Sequence, residues 1–142
     1  MSYRLTPRLQ AGIEVNAAVS EVDPIANWFA VTENDTRPAI ILGTSSDRIG
    51  TPKGRQAFYV TFSKQLGQLP VAPYFSLNYS TTDRGINFPF GARVLLWNQW
   101  SVMPMYDGHA SHTLLTWSGK HESVSLIAAW NRRFGVAVGY NF

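Results

Sequence analysis

The chain has 142 residues, enough for one domain of moderate core, and is 45% hydrophobic and 13% aromatic but only 15% charged, against about 25% charged in ordinary soluble domains. It has no cysteine, which excludes disulfides, thiolate metal sites and cysteine nucleophiles. It has no run of about 18 apolar residues, which excludes a transmembrane helix, and its formal net charge of +3 is scattered, which argues against a nucleic-acid partner.

No segment sustains a helical period. Short runs rich in Val, Ile, Thr, Tyr, Phe and Trp are separated by Gly, Asn, Asp, Ser and Pro, at 3–17, 25–34, 37–46, 54–66, 71–82, 86–97, 100–107, 111–118, 122–131 and 133–142. The first run is the most telling. From Arg4 to Ala17 its odd positions are Leu5, Pro7, Leu9, Ala11, Ile13, Val15 and Ala17, and its even positions are all polar or glycine. Side chains alternate across a strand, so one face of this run meets an apolar medium and the other a polar one. The fourth run sets Phe58, Val60 and Phe62 against Tyr59, Thr61 and Ser63, and the fifth sets Phe75, Leu77 and Tyr79 against Ser76, Asn78 and Ser80. The sixth sets Phe88, Phe90, Ala92 and Val94 against Pro89, Gly91, Arg93 and Leu95, and the last sets Phe134, Val136, Val138 and Tyr140 against Gly135, Ala137, Gly139 and Asn141. The third and seventh runs alternate less cleanly. Pro7, Pro73, Pro89 and Pro104 fall within runs and are expected at strand ends or bulges, since proline cannot donate to a ladder.

Ten runs is an even number, as a single-chain bacterial barrel requires. The pattern predicts one all-β domain over 1–142, an antiparallel up-and-down transmembrane β-barrel of about ten strands with its apolar face toward lipid. The polar face is poor in Lys and Glu, and aromatics such as Trp28, Tyr79, Trp97, Trp100, Tyr106, Trp117, Trp130 and Tyr140 stand near run ends, where interfacial girdles belong. If the first strand leaves the periplasm, the far-side connections are 18–24, 47–53, 83–85, 108–110 and 131–132, including the two longest. The near-side ones are 34–36, 67–70, 98–99 and 119–121. Arg4, Arg8, Glu14, Tyr59, Tyr74, Arg93 and Trp97 are expected to line the lumen, with the charged members in cross-lumen ion pairs. A lumen of this strand number is expected to be filled or very narrow. Arg48, Lys53 and Arg55, in a basic far-side loop, are candidates for contact with anionic headgroups. No apolar signal region precedes Tyr3, so the chain is either a mature form with an added Met or is not exported.

The final segment Gly-Val-Ala-Val-Gly-Tyr-Asn-Phe, 135–142, ends in an aromatic after alternating apolar residues. It resembles the terminal strand of Gram-negative outer-membrane β-barrels. That resemblance implies that Tyr140 and Phe142 belong to the signal read by the barrel assembly machinery, and it implies outer-membrane lipid as the surroundings. The segments Tyr3-Arg-Leu-Thr-Pro-Arg-Leu-Gln and Trp100-Ser-Val-Met-Pro-Met-Tyr-Asp-Gly, with the last strand, are similar to hairpins of YjbH-like exopolysaccharide-associated barrels. This implies an outer-membrane location and no particular activity. Leu115-Thr-Trp-Ser-Gly-Lys is similar to a strand of avidin-type biotin binders, though the other pocket positions have no counterpart.

The one dense polar cluster is Asp107-Gly-His-Ala-Ser-His112. Asp107, His109 and Ser111 are the residue types of a nucleophilic triad, as in an outer-membrane lipid hydrolase or acyltransferase. Consecutive residues around a short Asp-Gly turn favour a hairpin turn over a triad. His109 and His112 lie on the opposite side from His121, so the three cannot share a metal, and no cofactor or metal is expected. The expected role is therefore a structural anchor or a narrow, porin-like passive pore rather than an enzyme. The alternative is a soluble lipocalin- or avidin-like barrel binding a small apolar ligand, with Phe58, Phe62, Phe75, Phe88, Phe90 and Val94 lining the cavity.

Overall fold

Proline sets the breaks in this sheet. The computed structural model describes residues 2–16, 20–48 and 50–140, so Phe142 lies outside the described residues. The regular elements are twelve strands: β1 (Ser2–Thr6), β2 (Leu9–Asn16), β3 (Glu21–Val31), β4 (Ala39–Ser46), β5 (Gln56–Ser63), β6 (Val71–Ser80), β7 (Gly85–Asn87), β8 (Phe90–Trp97), β9 (Trp100–Tyr106), β10 (Ser111–Ser118), β11 (Glu122–Ala129) and β12 (Arg133–Tyr140). They form one antiparallel meander, with β7 and β8 both on β6, curled into a nearly closed barrel whose edges are β1 and β12.

The first run is a hairpin rather than one long strand. Pro7 and Arg8 form a two-residue turn, and Tyr3 faces Ala11 while Arg4 faces Gln10. Thr6 Oγ1 accepts the backbone N–H groups of Arg8 (3.2 Å) and Leu9 (3.0 Å), closing the turn where Pro7 has no N–H to offer. The sixth run is a single pass broken at Phe88 and Pro89. β7 and β8 meet β6 in one register, with Asn78 against Asn87 and Phe75 against Phe90, and Ser76 N donates to the Pro89 carbonyl between them (2.8 Å). Counting β7 and β8 once, the twelve strands make eleven passes. Pro73 ends β5: Lys64 N donates to the Pro73 carbonyl (3.1 Å), and proline cannot return the bond. Pro104 leaves a gap in the β8–β9 ladder, which pairs Gly91 with Met105 and resumes at Val94 with Val102. The expected excess of long far-side connections is not found. β3 begins at Glu21, so most of 18–24 is strand, and the near side carries connections 32–38 and 64–70 against 47–55 on the far side.

Pairing assigns the two faces. Phe58–Tyr79, Val60–Leu77, Phe62–Phe75, Leu115–Leu126 and Leu126–Val136 are cross-strand partners on the outer face. That face is exposed: Phe75 by 42%, Val136 by 69% and Phe134 by 77%. Among the described residues only Ala57 and Ala129 are buried apolar groups, whereas Asp23, Asp47, Ser76, Ser80, Ser101, Asp107 and His112 are buried. The interior is joined by hydroxyl pairs such as Thr61–Ser76 (2.7 Å) and Thr116–Ser125 (2.8 Å). Among the described residues the barrel is thus mainly polar inside and apolar outside, with no extended hydrophobic core. Phe58, Phe62, Phe75, Phe88, Phe90 and Val94 lie on this outer face, and none of them lines the interior cavity bordered by Glu14, Tyr59 and Asn78.

Large aromatics gather at both ends. On the near side, Trp100 opposes both Trp97 and Trp117, with the Trp97 and Trp100 rings 6.5 Å apart, and Trp28 and Tyr140 stand beside the first and fifth near-side turns. Tyr79, Tyr106 and Trp130 stand at the far end.

Candidate functional site

The far end of the barrel gathers polar residues that the sequence spreads over three connections. β4 ends at Ser46 and delivers Asp47 and Arg48, β6 ends at Ser80 and delivers Asp83, and β9 ends at Tyr106 and delivers Asp107. Asp47 accepts the Ser80 hydroxyl (2.6 Å) and the backbone N–H groups of Arg48 (2.8 Å) and Thr82 (3.2 Å). Arg48 grips Asp83 with both guanidinium nitrogens, Nη2 lying 2.7 Å from Oδ1. Asp83 also receives the Asn87 amide (3.1 Å) and meets His109 Nε2 (2.9 Å).

The connection 47–55 crosses the far mouth. Gly50, at φ 89°, lies against the Trp130 indole, so close that a Cβ there would stand 3.1 Å from the ring. Trp130 belongs to the β11–β12 turn, at the opposite side of the winding from β4 and β5. Gly54 N donates to Glu21 Oε1 (2.5 Å), fixing the same connection to the start of β3. It therefore forms a cap with anchors on three sides.

Trp130 itself is held in an unfavourable backbone conformation. It and Asn131 have φ of 51° and 50°, the mirror-image turn that suits two-residue hairpins but seldom admits a bulky side chain. Its N–H donates to His112 Nδ1 (3.1 Å), while His112 Nε2 donates to Asp107 Oδ2 (2.7 Å). That pair of bonds fixes the imidazole tautomer. Asp107 Oδ1 accepts the N–H groups of His109 and Ala110 (both 2.8 Å), an Asx turn. Both nitrogens of His112, 2% exposed, are therefore occupied. Ser111 faces outward opposite Tyr106, and His109 is turned to Asp83. Asp107, His109 and Ser111 do not converge. Among the described residues no group of His, Asp and Glu has metal-binding geometry.

Beneath the cap lies a cavity of about 310 Å³. Glu14, Ser45, Tyr59 and Asn78 line it on one side, and Met105, Leu114 and Ile127 on another. Tyr59, expected to line the lumen, faces this cavity. Its ring lies along the wall over Gly43, where a Cβ would be 2.6 Å from the ring, and its hydroxyl donates to Asn27 Oδ1 (2.7 Å).

The other residues expected in the lumen separate by position. Arg4, Glu14, Tyr74 and Arg93 are on the polar face, opposite Gln10, Asp23, Ser63 and Ala72 respectively. Arg8 is instead exposed in the first turn. Trp97 is on the outer face, because the irregularity between Leu95 and Trp97 shifts the register by one and reverses the side chain's direction. The expected cross-lumen ion pairs do not form among the described residues, since Arg4 and Arg93 sit toward the near end and Glu14 at the far end. Of the basic loop residues, Lys53 and Arg55 are exposed at the rim, but Arg48 is engaged by Asp83 and is not free for a headgroup. Tyr140 closes β12 opposite Glu122.

The far-end carboxyls also set an acid limit. Burial opposes charge on Asp47 and Asp107, but hydrogen bonds outweigh it and hold both below the usual carboxylate range. The Arg48 side chain, then Asn87, hold Asp83 well below it. A carboxyl depressed in the folded state contributes stability that is fully present above its unfolded value of about 3.9 and fades as pH falls through the folded value. The barrel is expected to hold its thermal midpoint from pH 7 to about pH 4.5 and lose it progressively below about pH 4. Asp47→Asn should flatten that acid limb, as read by circular dichroism melting at stepped pH.

No protein-family model, curated protein or solved structure matches the chain.

Proposed function

We propose that this chain is an integral β-barrel of a bacterial outer membrane, serving as a structural anchor whose capped lumen is at most a narrow passive pore. The observation that carries this reading is the inversion of the usual burial pattern. Phe, Leu and Val cover the outer face while Asp, Ser and His are buried within. Water leaves so large an apolar surface unsatisfied, and lipid satisfies it. Aromatic residues at both ends of the strands fit the two interfaces of a bilayer. Its natural surroundings are then outer-membrane lipid, and its insertion requires the barrel assembly machinery, with Tyr140 and Phe142 in the C-terminal sequence that resembles the signal for it.

Purified protein is expected to need detergent or lipid to remain monodisperse. A monomeric, folded species in plain buffer by light scattering would overturn the membrane reading and favour a soluble barrel. In a planar bilayer the capped barrel is expected to be silent or to show steps well below those of general porins. Large, stable steps would replace the anchor role with that of an open pore.

A further inference from the structure

The geometry points to a binding site for a small organic cation, a primary ammonium with an apolar tail, in the cavity beneath the cap. This goes beyond the proposed anchor role and does not depend on what covers the outer face. The cavity, at about 310 Å³, is at the lower end of small-molecule sites. Its walls differ in character: Met105, Leu114 and Ile127 present an apolar surface, with Leu114 and Ile127 direct cross-strand partners.

Charge decides the class of ligand. Among the described residues three carboxylates line the cavity, from Glu14, Asp47 and Asp107, with Arg48 the one cation, and Arg48 is committed to Asp83. Asp47 and Asp107 have three donors each from the protein. Glu14 receives only the Ser46 hydroxyl, on Oε2 (2.7 Å), and has no ion-pair partner among the described residues. A second acceptor points the same way. Asn78 lines the cavity and its Oδ1 is buried with no hydrogen-bond partner among the described residues, which is costly unless something donates to it. An ammonium offers three donors and the missing positive charge. A carboxylate or phosphate would meet the uncompensated Glu14 charge and be repelled, and a neutral alcohol would satisfy at most one acceptor.

The test is calorimetric titration of the full chain, in whichever medium keeps it monodisperse, with n-hexylammonium, hexanoate and 1-hexanol as probes. Hexylammonium is expected to bind at least tenfold more tightly than either of the others. Glu14→Gln, nearly isosteric and at an exposed position, should weaken hexylammonium at least tenfold and leave hexanol unchanged. Ile127→Trp, filling the apolar wall, should abolish binding of all three while circular dichroism reports an intact sheet. No heat with hexylammonium, equal affinity for hexanoate, or undiminished affinity in Glu14→Gln would each overturn the proposal.

Discussion

Leu126→Arg is expected to lower the unfolding free energy of the bilayer-inserted barrel by roughly 2–4 kcal/mol, the cost of a cation at mid-membrane on a lipid-facing strand. Leu126 lies in the middle of β11, between Leu115 of β10 and Val136 of β12, and is 46% exposed. Nothing in the protein packs over it to be displaced, so the cost measures the medium rather than a disrupted core. The same change at an exposed position of a water-soluble barrel should alter stability by no more than about 0.5 kcal/mol. Urea titration of protein in phosphatidylcholine bilayers, followed by tryptophan fluorescence, reads the difference. Ser125→Arg, on the polar face next to it, serves as the positional control. A cost at Leu126 within error of zero would remove the ground for a lipid-facing surface.

His112→Ala should be the most damaging interior substitution, costing about 3 kcal/mol. It leaves the Trp130 N–H and Asp107 Oδ2 without the partners they have now, each buried unsatisfied group costing about 1–3 kcal/mol. It also releases Trp130 from a left-handed conformation that the hydrogen bond helps to impose. The same unfolding titration checks it. Loss of the contact between Gly50 and the Trp130 ring gives a second readout, as faster proteolysis at Lys53 and Arg55 in the loosened cap. Asp107→Asn keeps one oxygen to accept both backbone N–H groups but sets an amide N–H donor against His112 Nε2–H, and is expected to cost less than His112→Ala because it breaks one of these hydrogen bonds rather than two.

The sheet was largely legible because its signal has period two and the pairing is local. Every run from the second onward corresponds to one pass, and the two-faced character follows from alternation alone, while the outward direction of the apolar face rests on a polar face poor in Lys and Glu. The first run failed for a specific reason. In the β1–β2 hairpin the paired residues from Ser2 to Arg4 sum to fourteen, as in Tyr3 with Ala11, and the register shifts only at Thr6, beside the turn. An even sum keeps odd positions on one face in both strands, so folding the run in two leaves its alternation intact. Only Pro7, flanked by Thr6 and Arg8, marked the reversal. Trp97 failed through a one-residue irregularity that has no compositional mark. The far-end network was hidden because its members are distant in sequence. A signal did exist: Asp47, Asp83 and Asp107 each stand just past the end of a pass leading to the same side, so sorting connections by side would have brought them together. The fit of Gly50 to Trp130 and the wall-hugging pose of Tyr59 are matters of three-dimensional packing that no local pattern encodes.

The parity of the winding has its own consequence. With eleven passes, β1 and β12 both run from the far end to the near end, so a ladder joining them would be the sole parallel one in the sheet. Parallel ladders have slanted, slightly weaker bonds, whereas β2 runs opposite to β12. The seam is therefore the place where β2 has two geometrically valid neighbours, the five-residue β1 it now holds and the longer β12 across the gap, and where hydrogen exchange should be fastest.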